Sequence, residues 1–170
     1  GTIHPENKNY KEELRRIKEN GLKGLKIHPQ YQNYYFDSPE FLRIISYAAE
    51  LGLFFVVHAG IDIGIPTPTK VTPENVLTVL KEAAPYQLIL AHMGGWKMWD
   101  EVEAVLCGAP VYFDTSYSLG LIGLHPSYPR TPAEQLLMQE EQFLRIVKKH
   151  GANHILFGTD SPWHSQSEAK

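Results

Sequence analysis

A single cysteine, Cys107, stands in a chain of 170 residues, so no internal disulfide can staple the fold. Free cysteines are most often small buried apolar side chains, and a chain without disulfides fits a reducing, cytoplasmic setting. No apolar run approaches the ~20 residues needed to span a bilayer. The opening Gly1-Thr2-Ile3-His4-Pro5 carries neither the basic nor the apolar region of a secretory signal, and it lacks Met, as a cut or processed chain would. Charge of one sign is not in excess: 16 Lys and Arg face 19 Asp and Glu, for a formal net charge of -3. That balance offers no strong pull toward nucleic acid or an anionic membrane. His-x-His pairs are absent, although the chain holds eight histidines. What is present, 43% hydrophobic and 21% charged residues, is the make-up of a soluble globular protein. The length fits one domain over residues 1–170.

Three segments share one pattern. Phe54-Phe55-Val56-Val57 runs into His58, Leu88-Ile89-Leu90-Ala91 into His92, and Ile155-Leu156-Phe157-Gly158-Thr159 into Asp160. Each is an apolar run ending on a residue able to bind a metal or move a proton. A polar group at the C-terminal tip of a buried strand is where a parallel α/β barrel places its chemistry. Between these runs the chain alternates strand-like and helix-like stretches. Strands are expected at residues 2–4, 24–28, 54–58, 88–92, 111–114 and 155–158. Helices are expected at 6–20, about 38–51, 73–84, 96–106 and 131–150. Ser38-Pro39 and Thr72-Pro73 read as helix starts, with a capping hydroxyl before a proline whose missing N–H costs nothing there. The strands are continuously apolar, which indicates cover on both faces and a parallel sheet with helices outside. The expected fold is therefore α/β with about six parallel strands, either a compact open sheet or part of a barrel, since a full eight-unit barrel takes about 250 residues.

Side-chain alternation places Lys26 and His28 on one face of their strand, opposite Leu25 and Ile27, and His58 on the face of Phe54 and Val56. His92 falls with Leu88 and Leu90. Two imidazoles and a carboxylate suit Zn²⁺ or a similar divalent ion. A single strand-end histidine is more often structural; three such ends together point to a site. Trp96 and Trp163, just past two tips, are candidates for the wall of a small-molecule pocket, with plain packing an equal reading. His28 faces inward as a candidate substrate contact or a structural hydrogen-bonding group. Gly94-Gly95 permits either close approach of backbone to a ligand or an ordinary turn. Asp114, Thr115 and Ser116 end another strand, where hydrogen bonding within the loop is the favoured reading. Lys26 reads chiefly as a buried or paired lysine, less as a carbamylated metal bridge. His4, His125, His150 and His154 read as loop or helix-end residues; His164 is left open.

Gly24-Leu25-Lys26-Ile27-His28-Pro29, Val57-His58-Ala59-Gly60, Ala91-His92-Met93-Gly94-Gly95-Trp96 and Leu156-Phe157-Gly158-Thr159-Asp160-Ser161-Pro162-Trp163 together resemble the amidohydrolase superfamily. The closest resemblance is to its amidohydrolase-related branch of metal-dependent hydrolases and decarboxylases, such as aminocarboxymuconate-semialdehyde decarboxylase. The resemblance implies a (β/α)₈ barrel of which this chain is an inner section, missing both ends. It implies His58 as a metal ligand, His92 in catalysis or metal binding, and Asp160 as both a metal ligand and the group that handles the proton of the attacking water. The cofactor implied is a divalent metal, Zn first and Mn second. The reaction implied is hydrolysis of a C–N or C–O bond in a small molecule, or else nonoxidative decarboxylation. A nuclease of the superfamily would want basic residues near the tips, where only Lys70 and Lys97 stand. The family's first-strand His-x-His is lacking, so a catalytically inactive fragment is the reading from another class. Open sheet edges favour a homo-oligomer.

Overall fold

In the computed structural model, residues 1–120, 131 and 135–161 are described. They form five parallel strands in sequential order: β1 (Gly24–Ile27), β2 (Phe54–Val57), β3 (Leu88–Leu90), β4 (Tyr112–Asp114) and β5 (Ile155–Leu156). The helices are α1 (Tyr10–Glu19), the short α2 (Pro29–Gln32), α3 (Pro39–Glu50), α4 (Pro73–Ala83), α5 (Trp99–Glu101) running into a π-helical turn (Val102–Leu106), and α6 (Glu140–His150). Sequential parallel strands with a helix in most crossovers are the unit of a TIM-type barrel wall.

Register explains the two faces of this sheet. Leu25 pairs with Phe55 and Phe55 with Leu88; Ile27 pairs with Val57, Val57 with Leu90, and Leu90 with Phe113. These seven side chains are all buried on the face that the helices cover. Lys26, Val56, Ile89 and Tyr112 form the row between them. There Lys26 is exposed and the other three are half-buried. Continuous apolarity therefore reflects one face covered by helices and a second, inner face only partly covered among the described residues. The expectation of two fully covered faces is corrected on that point.

Local chemistry sets the helix ends. Ser38 accepts a hydrogen bond from the Phe41 N–H ahead of α3. Thr72 and Asn75 form a reciprocal capping box at the start of α4, and Asn75 also binds the Asp37 carboxylate. Four expected boundaries move, each because the backbone is engaged elsewhere. Residues 2–4 are not a strand: Gly1 bonds Gly24 and Lys26, but the Ile3 carbonyl then turns to the Gln32 side chain. α1 begins at Tyr10, after a turn in which Asn7 accepts the Asn9 N–H. α5 begins at Trp99, because the Trp96 N–H and C=O bond Ala59 and Ile61. The helix expected over 131–150 is interrupted: Gln135 N–H bonds Thr131 O in helical fashion, 132–134 lie outside the described residues, and α6 runs from Glu140 after Leu137 and Met138 donate to Gly120 and Ser118. Among the described residues no helix is long and apolar enough to cross a membrane.

Candidate metal centre

His28 follows β1 and His58 follows β2, each at the C-terminal end of its strand. Lys26 and Val56 are paired, so the two histidines two residues further on stand level on the inner face. Their rings stack with centroids 4.1 Å apart and planes at 14°. The third member is Asp62, four residues past His58 in the Gly- and Pro-rich loop. Its Oδ2 lies 3.4 Å from His28 Nε2 and 3.8 Å from His58 Nε2. Its Oδ1 accepts the N–H groups of Gly64 at 2.7 Å and Ile65 at 3.0 Å, which fixes the carboxylate's direction. One ligand atom from each of His28, His58 and Asp62 lies within 4.8 Å of the others. Two nitrogen or oxygen ligands on a tetrahedral metal at about 2.0–2.1 Å stand about 3.3 Å apart, so this cluster is at ligand spacing. Sequence reasoning missed Asp62. The available signal was that it is the sole acidic residue of residues 59–70.

His92 enters by leaving strand geometry. Strict alternation would aim it at the helix-covered face, with Leu90. Its φ of 61°, followed by Met93 at 52° and Gly94 at 85°, turns the chain over. The ring then comes back to His58, with His92 Nε2 3.1 Å from His58 Nδ1. The His92 backbone N–H donates to Asp114 Oδ1 at 3.0 Å, and its carbonyl accepts the Trp99 indole N–H at 3.0 Å. His92 Nδ1 is 2.8 Å from the Ser116 carbonyl. The close approach that Gly94 permits is to protein: a Cβ there would sit 2.7 Å from the Phe113 ring.

The electrostatics favour a bare imidazole at His58. Burial, with the neighbouring His92 and His28, outweighs the pull of Asp62 and holds the His58 pKa at about 2. Burial likewise lowers His92, against the Ser116 carbonyl and the charges of Asp160 and Asp114. For Asp62 burial works against ionisation, but the His28 contact and the Ile65 and Gly64 N–H groups prevail and hold it at about 2. A neutral His58 therefore faces an ionised Asp62. His58 Nε2 and His28 Nδ1 are buried without a hydrogen-bond partner among the described residues. The orphaned His58 Nε2, with His28 Nε2 beside the same ionised carboxylate oxygen, makes a donor set that fits a divalent cation.

Asp160 lies past β5 with φ 56°. It is outside the three-residue cluster, and its charge acts on His92 and Lys26. Lys26 is reachable by solvent, yet desolvation by the strand walls lowers its pKa against Asp114 and Asp160. Trp96 is buried, with its indole N–H on the Tyr117 carbonyl at 3.2 Å. Trp163, with His125 and His164, lies outside the described residues. His150 is a packing histidine: its ring bridges Gly108 N–H and the Val111 carbonyl and stacks on Phe113.

Parallel strands in sequential order, with histidines at the C-terminal ends of three of them, are the arrangement of a TIM-barrel wall. The amidohydrolase family model matches residues 5–169, and the chain belongs to that family. No curated protein matches the sequence. Among solved structures, an uncharacterized TIM-barrel protein from Bordetella bronchiseptica aligns with a TM-score of 0.74 at 17% identity, over 99% of this chain and 56% of its own. A dihydroxybenzoic acid decarboxylase from Polaromonas sp. JS666, with bound manganese and 2-nitroresorcinol, gives 0.59 at 17%, over 98% and 58%. A Pseudomonas putida protein assigned as a 2-pyrone-4,6-dicarboxylic acid hydrolase gives 0.63 at 16%, over 100% and 59%. Decarboxylases recur among the matches. The chain thus spans somewhat over half the length of the structures it resembles, and the TIM-barrel fold is what they share with it.

Proposed function

We propose that these residues form part of the site of a metal-dependent enzyme acting on a small carboxylated aromatic or pyrone-like molecule, with nonoxidative decarboxylation as its reaction. The observation that carries the metal reading is the His28–His58–Asp62 cluster, with the orphaned His58 Nε2 and the ionised carboxylate. The recurrence of decarboxylases among structurally similar proteins supports decarboxylation over the hydrolysis that the motifs first suggested. Hydrolysis is the second reading, favoured by the similar hydrolase-assigned barrel. Manganese in a similar decarboxylase favours Mn²⁺ beside Zn²⁺.

A divalent ion held by His58 with Asp62 and His28 would polarise a bound carboxylate or carbonyl. Asp160 is kept as a further ligand or proton carrier, its charge already felt at His92. Tyr31, exposed and stacked on His28 at 4.1 Å, offers a flat aromatic surface for a planar substrate beside the His28 contact. Trp96, four residues past His92, is proposed as part of the pocket wall; Trp163, the other candidate, lies outside the described residues. In decarboxylation the C–C bond to the carboxylate breaks, CO₂ leaves, and a proton takes its place on the ring carbon.

The test is incubation of the protein with Mn²⁺ or Zn²⁺ and 2,6-dihydroxybenzoate in D₂O. CO₂ release with one deuteron on the former carboxyl-bearing carbon is the expected result. Turnover only of a pyrone or other hydrolysable ring, with solvent oxygen in the product, would move the assignment to hydrolysis. No turnover of either class, with metal bound, would overturn both.

A further inference from the structure

Asp114 touches neither His58 nor the cluster's carboxylate, yet it sits at the head of a chain of hydrogen bonds that leads to His58. Its Oδ1 accepts the His92 N–H and the Ser116 N–H, each at 3.0 Å, and the Ser116 hydroxyl proton. That leaves the Ser116 oxygens as acceptors toward His92 Nδ1: the carbonyl at 2.8 Å and Oγ at 3.3 Å. A carbonyl cannot donate, and this hydroxyl has spent its proton on Asp114. His92 Nδ1 must therefore carry the hydrogen. In the neutral ring Nε2 is then a bare acceptor. Its neighbour at 3.1 Å is His58 Nδ1, which must donate. Neutral His58 is left with its lone pair on Nε2, the buried nitrogen without a partner that faces Asp62 Oδ2 at 3.8 Å. Two acceptors aimed at each other across that distance repel unless a cation lies between them.

We propose that Asp114 is a positioning residue: through Ser116 and His92 it fixes the tautomer of His58, so that the nitrogen presented to Asp62 is a lone pair and not an N–H. The inference deepens the metal reading and rests on it for its purpose, but the tautomers themselves are a property of the metal-free protein. Outer partners of ligating histidines commonly set ring orientation and basicity in this way. The left-handed backbone of His92 belongs to the same device, since the Asp114 bond to the His92 N–H is one of the contacts that hold the turn.

The deciding experiment is two-dimensional long-range ¹H–¹⁵N correlation of the histidine rings in metal-free protein at pH 7.5, followed by Zn²⁺ titration of the same samples. Wild type is expected to show Nδ1–H at both His92 and His58. Asp114→Ala is expected to bring Nε2–H into the His58 pattern and to weaken Zn²⁺ binding about 10–100-fold. Asp114→Asn, which keeps an acceptor oxygen, is expected to retain the wild-type tautomers. Thr72→Ala, a remote cap variant, controls for general destabilisation and should change neither readout. An Nε2–H at His58 in wild type would overturn the proposal, as would unchanged tautomers in Asp114→Ala. If Asp114→Ala does not fold, an Nε2–H at His58 in wild type, or loss of the Nδ1–H pattern in Asp114→Asn, still overturns the proposal. The expected tautomers with no Zn²⁺ bound would support the relay while overturning the metal reading.

Discussion

Gly60→Ala tests how closely the Asp62 loop is pressed against the His92 turn. Gly60 has φ 85°. A Cβ there would lie 2.2 Å from Trp96 N and 2.5 Å from both Gly95 C and Trp96 O, all of them backbone atoms. No flexible side chain can yield, so the two loops must separate. The seam is closed by Trp96 N–H to Ala59 O at 2.8 Å and Ile61 N–H to Trp96 O at 3.0 Å. Left-handed backbone costs an alanine about 1–2 kcal/mol. Losing two hydrogen bonds costs about 1 kcal/mol each, and more where a group is left buried and unpaired. The backbone and hydrogen-bond costs together come to about 3–5 kcal/mol. Gly21→Ala is the matched control: φ is 79° and nothing lies within 4 Å of its Cβ, so only the backbone cost of about 1–2 kcal/mol applies. With a urea slope of about 2 kcal/mol/M, the midpoint should fall by about 1.5–2.5 M for Gly60→Ala and by about 0.5–1 M for Gly21→Ala. Because Asp62 is two residues on, Zn²⁺ affinity should also fall in the first variant alone. Equal midpoint shifts in urea denaturation would refute the steric reasoning.

Three further outcomes are expected. Asp62→Ala should weaken Zn²⁺ or Mn²⁺ binding by calorimetry about 100-fold or more, since even outer partners of ligands are worth about 10–100-fold; an unchanged affinity would remove Asp62 from the site. Burial lowers the pKa of His150 from 6.5, so the unfolded chain binds the extra proton first; the stability is complete above pH 6.5 and is lost as pH falls from there toward the folded pKa. Urea midpoints measured from pH 8 to pH 5 should decline less steeply in His150→Phe than in wild type. Thr72→Ala should cost about 1 kcal/mol through loss of the α4 cap, read as a thermal midpoint a few degrees lower with metal affinity unchanged.

The alternation of apolar runs and capped helices was enough to set the βα order and the parallel sheet, while the barrel was implied by motif resemblance. The signals were local ones: Ser38 and Thr72 ahead of prolines, Gly21 at a helix end, and β-rich runs closing on His58 and His92. Motif resemblance likewise reached the family that the full-length match establishes. Placement of His28 and His58 on the face opposite Leu25 and Ile27 or Phe55 and Val57 was also legible, because alternation along a regular strand depends on nothing distant; that this face is the less covered one was not. Legibility ended where the backbone stops being regular. Asp62 sits in a loop, where a four-residue spacing fixes no distance; its position comes from Gly64, Ile65 and the seam between Gly60 and Trp96. His92 reaches His58 only because three successive left-handed residues overturn the strand's alternation. Asp114 and Ser116 gain their hold on that ring from β3–β4 pairing, a contact between residues more than twenty apart in sequence. The chain by itself determined which chemical groups are present and on which strands. The tertiary structure decided which of them meet, because hydrogen-bond direction and imidazole tautomer depend on neighbours that no local pattern specifies.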